Sequence, residues 1–318
     1  MLDSSFTDGF IVLKNGKIVM EEYFTGMQPS SLHLLQSASK SLMVALLAIH
    51  LKEGKVRENA SVAEYIPELK NSGYANANVA SLMDMQSGVS YSYGQGPDDM
   101  NADLGRHMQS WGWKPRAADN KGHRHFLTTL KKEIEPGKVF NYKDSDTEVL
   151  AWIMEKINRK SFADLFSERI WSQIGAEYDA YISCDGFGSS VTSGGMNVSL
   201  RDFARIGQLY LDKGNLENKQ LVPAEFFDDV LKTKDTAKFA SSMFASGSPK
   251  GTAYNNKFWI PGGHEDAYLA FGYQGQYLYI HPKYNVVIAK FSTQPGYDMS
   301  IINSEWSSFY AIAKALGK

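Results

Sequence analysis

The sequence has a single cysteine, Cys184, so it can form neither an internal disulfide nor a zinc site built on cysteines. It also lacks an excess of either charge. Its 33 basic and 35 acidic side chains give a formal net charge of −2, and there is no basic run or acidic tail. This balance argues against a nucleic-acid partner and leaves a small-molecule substrate as our expectation.

Long apolar segments are absent as well. No uninterrupted apolar run reaches the length needed to cross a bilayer, and the first residues lack the zones of a signal peptide. We therefore expect no membrane span. The expected location is cytoplasmic for the sequence as it stands, and periplasmic or secreted if a leader precedes it. The sequence leaves open whether the protein is a monomer or a homodimer.

The motifs of metal and nucleotide chemistry are missing too. The histidines of the sequence show no pair of ligands one helical turn apart, as in His-Glu-x-x-His, so we expect no metal site and no cofactor. Gly-rich phosphate loops are absent, and so is the Gly-x-Ser-x-Gly nucleophile motif. A serine hydrolase whose nucleophile lies in a different sequence motif remains possible.

Residues 36–49 supply such a motif, because a polar start runs directly into an almost wholly apolar helix. Ser37 and Lys40 are three residues apart, nearly one helical turn, so both side chains would project from the same face. That is the geometry of a serine nucleophile with a lysine base. The alternative is an N-cap serine followed by a solvated lysine, since Ser-x-x-Lys is a short motif.

Two later stretches contain groups that such a pair needs. Tyr142 lies between a Pro-Gly turn and a helix, where its hydroxyl would relay a proton; the alternative is a packed aromatic ring. Gly275 opens the last hairpin, where the N–H of Gln276 would face an oxyanion; the alternative is a glycine in a β-bulge.

The pattern of apolar residues predicts an α+β fold. Asn15-Gly16 between two β-prone runs predicts an N-terminal hairpin, and residues 276–280 and 286–291 predict a second hairpin, followed by a helix over 304–316. We expect one antiparallel sheet built from both ends of the chain, flanked by helices. The predicted sheet domain comprises residues 1–55 and 200–318, with a mainly helical domain, 56–199, inserted between them.

Residues 91–121 have a loop-like composition, and loops of that length in compact domains tend to be functional. We expect Tyr93, Trp111 and Trp113 of this loop to close over a substrate. The alternative is a surface excursion held by a few aromatic anchors.

The order of the three motifs resembles that of the penicillin-recognising serine hydrolases of class C β-lactamase type. Within that superfamily the sequence is most similar to the 6-aminohexanoate-dimer hydrolases, also over residues 170–180, 194–196 and 200–207. The resemblance implies a β-lactamase-like fold with a cleft between sheet and helices. It also implies that Ser37 is the nucleophile, Lys40 its base and Tyr142 the proton relay, with the N–H groups of Ser37 and Gln276 as oxyanion hole.

The sequence departs from that pattern at two places. Asp144 replaces the asparagine of Tyr-x-Asn, and a carboxylate there would hold Lys40 protonated and weaken it as a base. Tyr273-Gln274-Gly275 replaces Lys-Thr-Gly, which removes the cation for a β-lactam carboxylate. Penicillin breakdown is therefore not the expected main activity, and we count Asp144, Tyr273 and Gly275 among the substrate-binding candidates.

The sequence thus predicts a serine hydrolase that cleaves an amide or ester bond of a small linear acyl compound through an acyl-enzyme. One alternative is a carboxylesterase, which the same residues would support. The other is a catalytically silent, penicillin-binding-like protein that only captures ligands.

Overall fold

The computed structural model describes residues 2, 5–232 and 234–318. In this part of the chain, no helix combines the length and the apolar character needed to cross a membrane. The described residues form an antiparallel sheet with helices on both faces and a helix-rich region beside it, which confirms the predicted fold class. The division into two domains at residues 55/56 and 199/200 stays a prediction.

The N-terminal hairpin consists of β1 (Thr7–Lys14) and β2 (Lys17–Tyr23). Asn15 and Gly16 form its turn with φ angles of 51° and 73°. Two left-handed residues are what a two-residue type I′ turn requires, and Asn-Gly is the preferred pair for it. The hairpin prediction is therefore confirmed.

The sheet is completed by strands from the C-terminal part of the chain. They are β8 (Ala253–Asn255), β9 (Phe258–Ile260), β10 (Tyr268–Gly272), β11 (Gln276–His281) and β12 (Val286–Ser292). The strand order is β2-β1-β12-β11-β10-β9-β8, so β1 from the start of the chain pairs with β12 from its end. The second predicted hairpin is confirmed as β11–β12, but β8, β9 and β10 were not predicted from the sequence. β8 and β9 have three residues each, and β10 is wholly buried, so none of them shows a clear alternation of apolar and polar residues.

The helices surround this sheet and fill the middle of the chain. In order they are α1 (Ser39–Lys52), α2 (Val62–Tyr65), α3 (Val79–Met83), α4 (Asp103–Trp111), α5 (His123–Thr129), α6 (Asp144–Asn158), α7 (Phe162–Arg169), α8 (Leu200–Leu211), α9 (Ala224–Lys232), α10 (Thr236–Ala240) and α11 (Met299–Leu316). α11 begins five residues before its predicted start, because the Asp298 carboxylate caps it by accepting hydrogen bonds from the N–H groups of Ser300 and Ile301.

The expectation of an irregular loop over residues 91–121 is wrong in part, since α4 lies within it. Leu104, His107 and Trp111 are spaced three and four residues apart and so share one face of this helix. Gly112, with φ 83°, ends it in a left-handed conformation. The many Gly, Asp and Asn residues around α4 hide its short periodic pattern.

Neighbouring residues of the sheet face two different cores. Ile11 of β1 packs in the same core as Phe203 of α8, whereas the adjacent Phe10 packs against Phe309 of α11 with ring centroids 6.4 Å apart. Because side chains alternate across a strand, α8 and α11 cover opposite faces of the sheet. The central strands are consequently buried on both sides.

Two small sheets complete the fold. β3 (His33–Leu34), β5 (Met196–Val198) and β4 (Tyr181–Ile182) pair in that order, and β6 (Asn215–Leu216) pairs with β7 (Lys219–Gln220). The pairing of β3 with β5 places the segment just before Ser37 beside the segment that follows Gly194-Gly195. α1 packs against α6, α7 and β10, so it joins the main sheet to the helical region.

Candidate active site

Ser37 lies in a tight turn that leads into α1. The turn, Gln36–Ala38, is a single 3₁₀ turn, and α1 begins two residues after Ser37. Gln36 has a left-handed φ of 49°, which costs a non-glycine residue on the order of 1 kcal/mol. Strained residues of this kind concentrate at functional sites, and this one directly precedes Ser37.

Lys40 contacts the Ser37 hydroxyl from the first turn of α1. Its Nζ lies 2.9 Å from the Ser37 Oγ, 2.5 Å from the Asp144 Oδ1 and 2.7 Å from the carbonyl oxygen of Ser193. An ammonium group has three N–H donors, and these three oxygens accept them. The side chain is 1% exposed, so water takes little part in this arrangement.

The charge state of Lys40 follows from two opposing effects. Burial favours the neutral amine, but the charge and hydrogen bond of Asp144, together with Tyr142, outweigh burial and raise the pKa of Lys40. At rest Lys40 is therefore an ammonium that donates to Ser37. In the neutral amine two N–H groups remain for Asp144 and Ser193, and the lone pair faces the Ser37 hydroxyl.

Tyr142 stands beside both groups. The Lys40 Nζ is 5.1 Å from the centroid of its ring, and its hydroxyl interacts with the Ser37 and Lys40 side chains. Burial raises the pKa of Tyr142 and outweighs the opposing effect of the Lys40 charge, so the phenol keeps its proton. The structure thus brings Tyr142 beside Ser37 and Lys40, which precede it by about a hundred residues in the sequence.

The turn before β11 lies next to the Ser37 turn. A Cβ atom on Gly272, the last residue of β10, would come within 2.2 Å of the carbonyl oxygen of Leu35, so only glycine permits this approach. Gly275, with φ 85°, then leads the chain into Gln276. The Gln276 Nε2 donates to the carbonyl oxygen of Ser292 over 2.6 Å, which anchors Gln276 to β12.

The charges around this turn leave little to attract an anion. Tyr273 is solvent-exposed and stands where the related enzymes have a lysine. The Lys290 side chain lies next to Gly275, but it is fully buried and its Nζ lies 2.6 Å from the Glu305 carboxylate, which neutralises its charge. Among the residues that the structure describes, no three His, Cys, Asp or Glu side chains are grouped as a metal site would require.

The three aromatic candidates of the 91–121 segment take different places. Trp113 and the backbone of Gln36 both adjoin Gly194, so the Trp113 indole lies beside the nucleophile turn. Trp111 is buried and packs behind Trp113 with ring centroids 5.2 Å apart. The Tyr93 hydroxyl is buried and has no hydrogen-bond partner among the residues that the structure describes, and Tyr93 is close enough to Asp144 to interact with its charge.

Two functional elements were not predicted from the sequence. The first is the Ser193 carbonyl group that holds Lys40. The second is Glu148, whose carboxylate accepts hydrogen bonds from the N–H and hydroxyl groups of Thr192 and Ser193 over 2.6–3.2 Å. Glu148 lies one helical turn after Asp144 on α6, so one helix holds Lys40 both directly and through the 192–193 segment. The four-residue spacing of Asp144 and Glu148 is the feature of the sequence from which the role of Glu148 could have been predicted.

Ser37, Lys40 and Tyr142 meet at the boundary between an antiparallel sheet and a helical region, an arrangement typical of the β-lactamase-like serine hydrolases. The chain belongs to this family, since the Beta-lactamase family model matches residues 7–303. It is 32% identical over 298 residues to the 6-aminohexanoate-dimer hydrolase of Paenarthrobacter ureafaciens, which covers 93% of this chain and 75% of that enzyme. The family and the relationship expected from the motifs are thereby confirmed.

Solved structures agree with this assignment. A candidate 6-aminohexanoate-dimer hydrolase from Bacillus anthracis matches with a TM-score of 0.88 at 33% identity, over 100% of this chain and 82% of that chain. A family VIII carboxylesterase shares the fold, with a TM-score of 0.68 at 15% identity over 94% and 91% of the two chains. The protein is therefore an enzyme, a hydrolase of β-lactamase-like fold.

Proposed function

We propose that this hydrolase cleaves an amide or ester bond of a small, linear acyl compound, with Ser37 as nucleophile. The observation that supports it best is the partly buried contact of 2.9 Å between the Lys40 Nζ and the Ser37 Oγ. A serine needs an adjacent base to become a nucleophile, and Lys40 is within hydrogen-bond distance of it. The family relationship supports the substrate class, as does the tyrosine at position 273 in place of a cation.

The acylation step begins with a neutral Lys40. Ser37 attacks the carbonyl carbon while its hydroxyl proton passes to the Lys40 Nζ, and the N–H groups of Ser37 and Gln276 stabilise the oxyanion. As the tetrahedral intermediate collapses, the Tyr142 hydroxyl protonates the leaving amine or alcohol and regains a proton from Lys40. The products of this step are the acylated Ser37, a neutral lysine and a neutral tyrosine.

Deacylation uses the same groups in reverse. A water molecule gives a proton through Tyr142 to Lys40 and attacks the acyl carbon. When the second tetrahedral intermediate collapses, Lys40 returns its proton to the Ser37 oxygen. In both steps Asp144 and the carbonyl of Ser193 keep two N–H groups of Lys40 occupied, so its remaining position is the one that exchanges protons with Ser37 and Tyr142.

One observation favours esters as a second candidate substrate class. Asp144 holds Lys40 protonated, which lowers the population of the base-competent form. An ester has the easier leaving group and demands less assistance. A carboxylesterase is therefore the alternative function.

A fluorophosphonate probe tests the central role of Ser37. We expect it to label the wild-type protein and the Ser304→Ala variant, which loses an exposed serine on α11, but not Ser37→Ala. Labelling that persists in Ser37→Ala would refute the assignment of the nucleophile. A correctly folded wild type that is neither labelled nor active on any ester or amide would favour the ligand-capture alternative.

Turnover of isosteric esters and amides then separates the two enzyme functions. Ser37-dependent cleavage of linear amides supports the amidase, whereas cleavage restricted to esters supports the carboxylesterase.

A further inference from the structure

A cavity of about 390 Å³ lies beside Tyr142 and is not used by the steps above. It is an open cavity lined by residues 88–89, 133–134 and 139–143, the last of which include Tyr142, and by the turn 241–244. Three large apolar side chains at this cavity are solvent-exposed: Ile134 at 39%, Val139 at 37% and Met243 at 66%. Its size is that of a small-molecule pocket, and its exposed walls favour an apolar ligand.

Phe244 connects this cavity to the candidate active site. Its ring lines the cavity and lies 5.3 Å from the ring of Tyr142 and 5.9 Å from that of Tyr93, measured between centroids. A substrate chain that begins at an atom hydrogen-bonded to the Tyr142 hydroxyl can therefore extend past the apolar ring of Phe244.

The charges at the cavity disfavour an anionic ligand. Lys143 lines the cavity, but it is fully buried and its Nζ donates to the carbonyl oxygen of Val89 over 2.7 Å. Glu133 carries an exposed carboxylate at the cavity, and within the described residues it has no ion pair. An alkyl chain with an uncharged or cationic end suits this environment, and a terminal carboxylate does not.

We propose that this cavity binds the alkyl chain of the leaving group, the part of the substrate that departs as alcohol or amine. The proposal rests on the proposed function, because Tyr142 is the group that protonates the leaving atom. That atom must sit at the Tyr142 hydroxyl, so its substituent lies next to the residues that flank Tyr142 and form the cavity wall. The acyl chain, bonded to the carbon held at Gln276, points elsewhere.

Pairs of isomeric esters test which side of the bond the cavity serves. Hexyl acetate and methyl heptanoate have the same formula and the same apolar surface, but they carry the long chain on the leaving group and on the acyl group, respectively. We expect kcat/KM to rise about fourfold for each methylene from ethyl to hexyl acetate, as buried methylenes do, and to rise much less along the methyl ester series. Titration of the released acid follows both reactions with the wild-type enzyme.

A substitution that fills the cavity provides a second test of the proposal. Met243→Trp should lower kcat/KM for hexyl acetate about tenfold or more and leave methyl heptanoate and ethyl acetate nearly unchanged. Val19→Trp is the matched control, since Val19 is also exposed but lies on the edge strand β2, at the far side of the sheet from β8. It should change none of the three rates.

The outcomes separate this proposal from the proposed function. Ser37-dependent cleavage with no chain-length dependence on the alcohol side would overturn the cavity assignment alone. A chain-length dependence on the acyl side that Met243→Trp removes would place the acyl chain in the cavity and overturn the assignment as well. If Ser37→Ala cleaves these esters as fast as wild type, the proposed function itself is refuted.

Discussion

Asp144→Asn should make the enzyme more active at neutral pH. The substitution keeps the size of the side chain and an oxygen that accepts from Lys40, but it removes the negative charge 2.5 Å from the Nζ. Burial then dominates and lowers the pKa of Lys40. More of the enzyme holds the neutral amine that accepts the Ser37 proton.

The size of the effect follows from the geometry of the pair. A single opposite charge in contact shifts a pKa by about 1–3 units, and each unit changes the neutral fraction about tenfold on the acid side of the profile. Roughly half of that gain on a logarithmic scale is lost because a weaker base is a poorer proton acceptor. We therefore expect kcat/KM at neutral pH to rise roughly three- to thirtyfold, with the acid limb displaced downward by about 1–3 pH units.

The assay is the pH dependence of kcat/KM for a short ester, corrected for the Ser37→Ala background. Asp202→Asn is the matched control, because Asp202 is equally buried but pairs with Arg205. Its profile should keep the wild-type acid limb. An Asp144→Asn enzyme that is folded but slower at every pH would refute the reasoning and show that the carboxylate is needed for the proton transfer or for positioning.

The pH dependence of the free energy of unfolding gives an independent check on the direction in which Asp144 shifts the pKa of Lys40. In the wild type, Asp144 raises the folded-state pKa of Lys40, so this contribution is present below the ordinary lysine pKa and lost as pH rises through the folded-state value. In Asp144→Asn the folded-state pKa lies below the ordinary value instead. The variant should therefore gain stability as pH rises, and its deficit against wild type should be largest near neutral pH, where the wild-type ion pair is intact, and smaller in alkali.

Three further changes have defined outcomes. Gly272→Ala should lower kcat about a hundredfold with the fold retained in circular dichroism, because its Cβ would displace the Leu35 carbonyl and the turn behind it. Glu148→Gln should lower kcat about tenfold with little change in KM, since an amide cannot accept all the hydrogen bonds that fix Ser193, and Glu148→Asp should restore part of the loss. Burial lowers the pKa of Lys257 to about 7, so unfolding by denaturant should show wild-type stability rising with pH above that value, and Lys257→Met should make the rise smaller.

That Ser37, Lys40 and Tyr142 lie together was predictable because such a group leaves recognisable local patterns in the sequence. Ser37 and Lys40 share a helical turn in the sequence, and Tyr142 sits between a turn and an apolar helix. The structure moves Ser37 to the 3₁₀ turn ahead of the helix but keeps its contact with Lys40. The hairpin at Asn15-Gly16 was predictable for the same reason, since its turn conformation depends on two adjacent residues.

The supporting contacts were not predictable because they join distant parts of the chain. Glu148 and Ser193 are 45 residues apart, and neither stretch marks the other as its partner. α4 was missed since one short amphipathic face sits among residues typical of loops. The cavity at Met243 depends on how two loops pack, which a periodic pattern does not encode.

The pairing of β1 with β12 has a consequence for how the enzyme is made. The nucleophile turn is synthesised early, but the strand that brings Gln276 beside it is translated some 240 residues later. Contacts of such long range form late and slowly. A nascent chain therefore carries Ser37 and Lys40 before the segment around Gln276 exists, so the site of the proposed mechanism is incomplete until the C-terminal strands close the sheet.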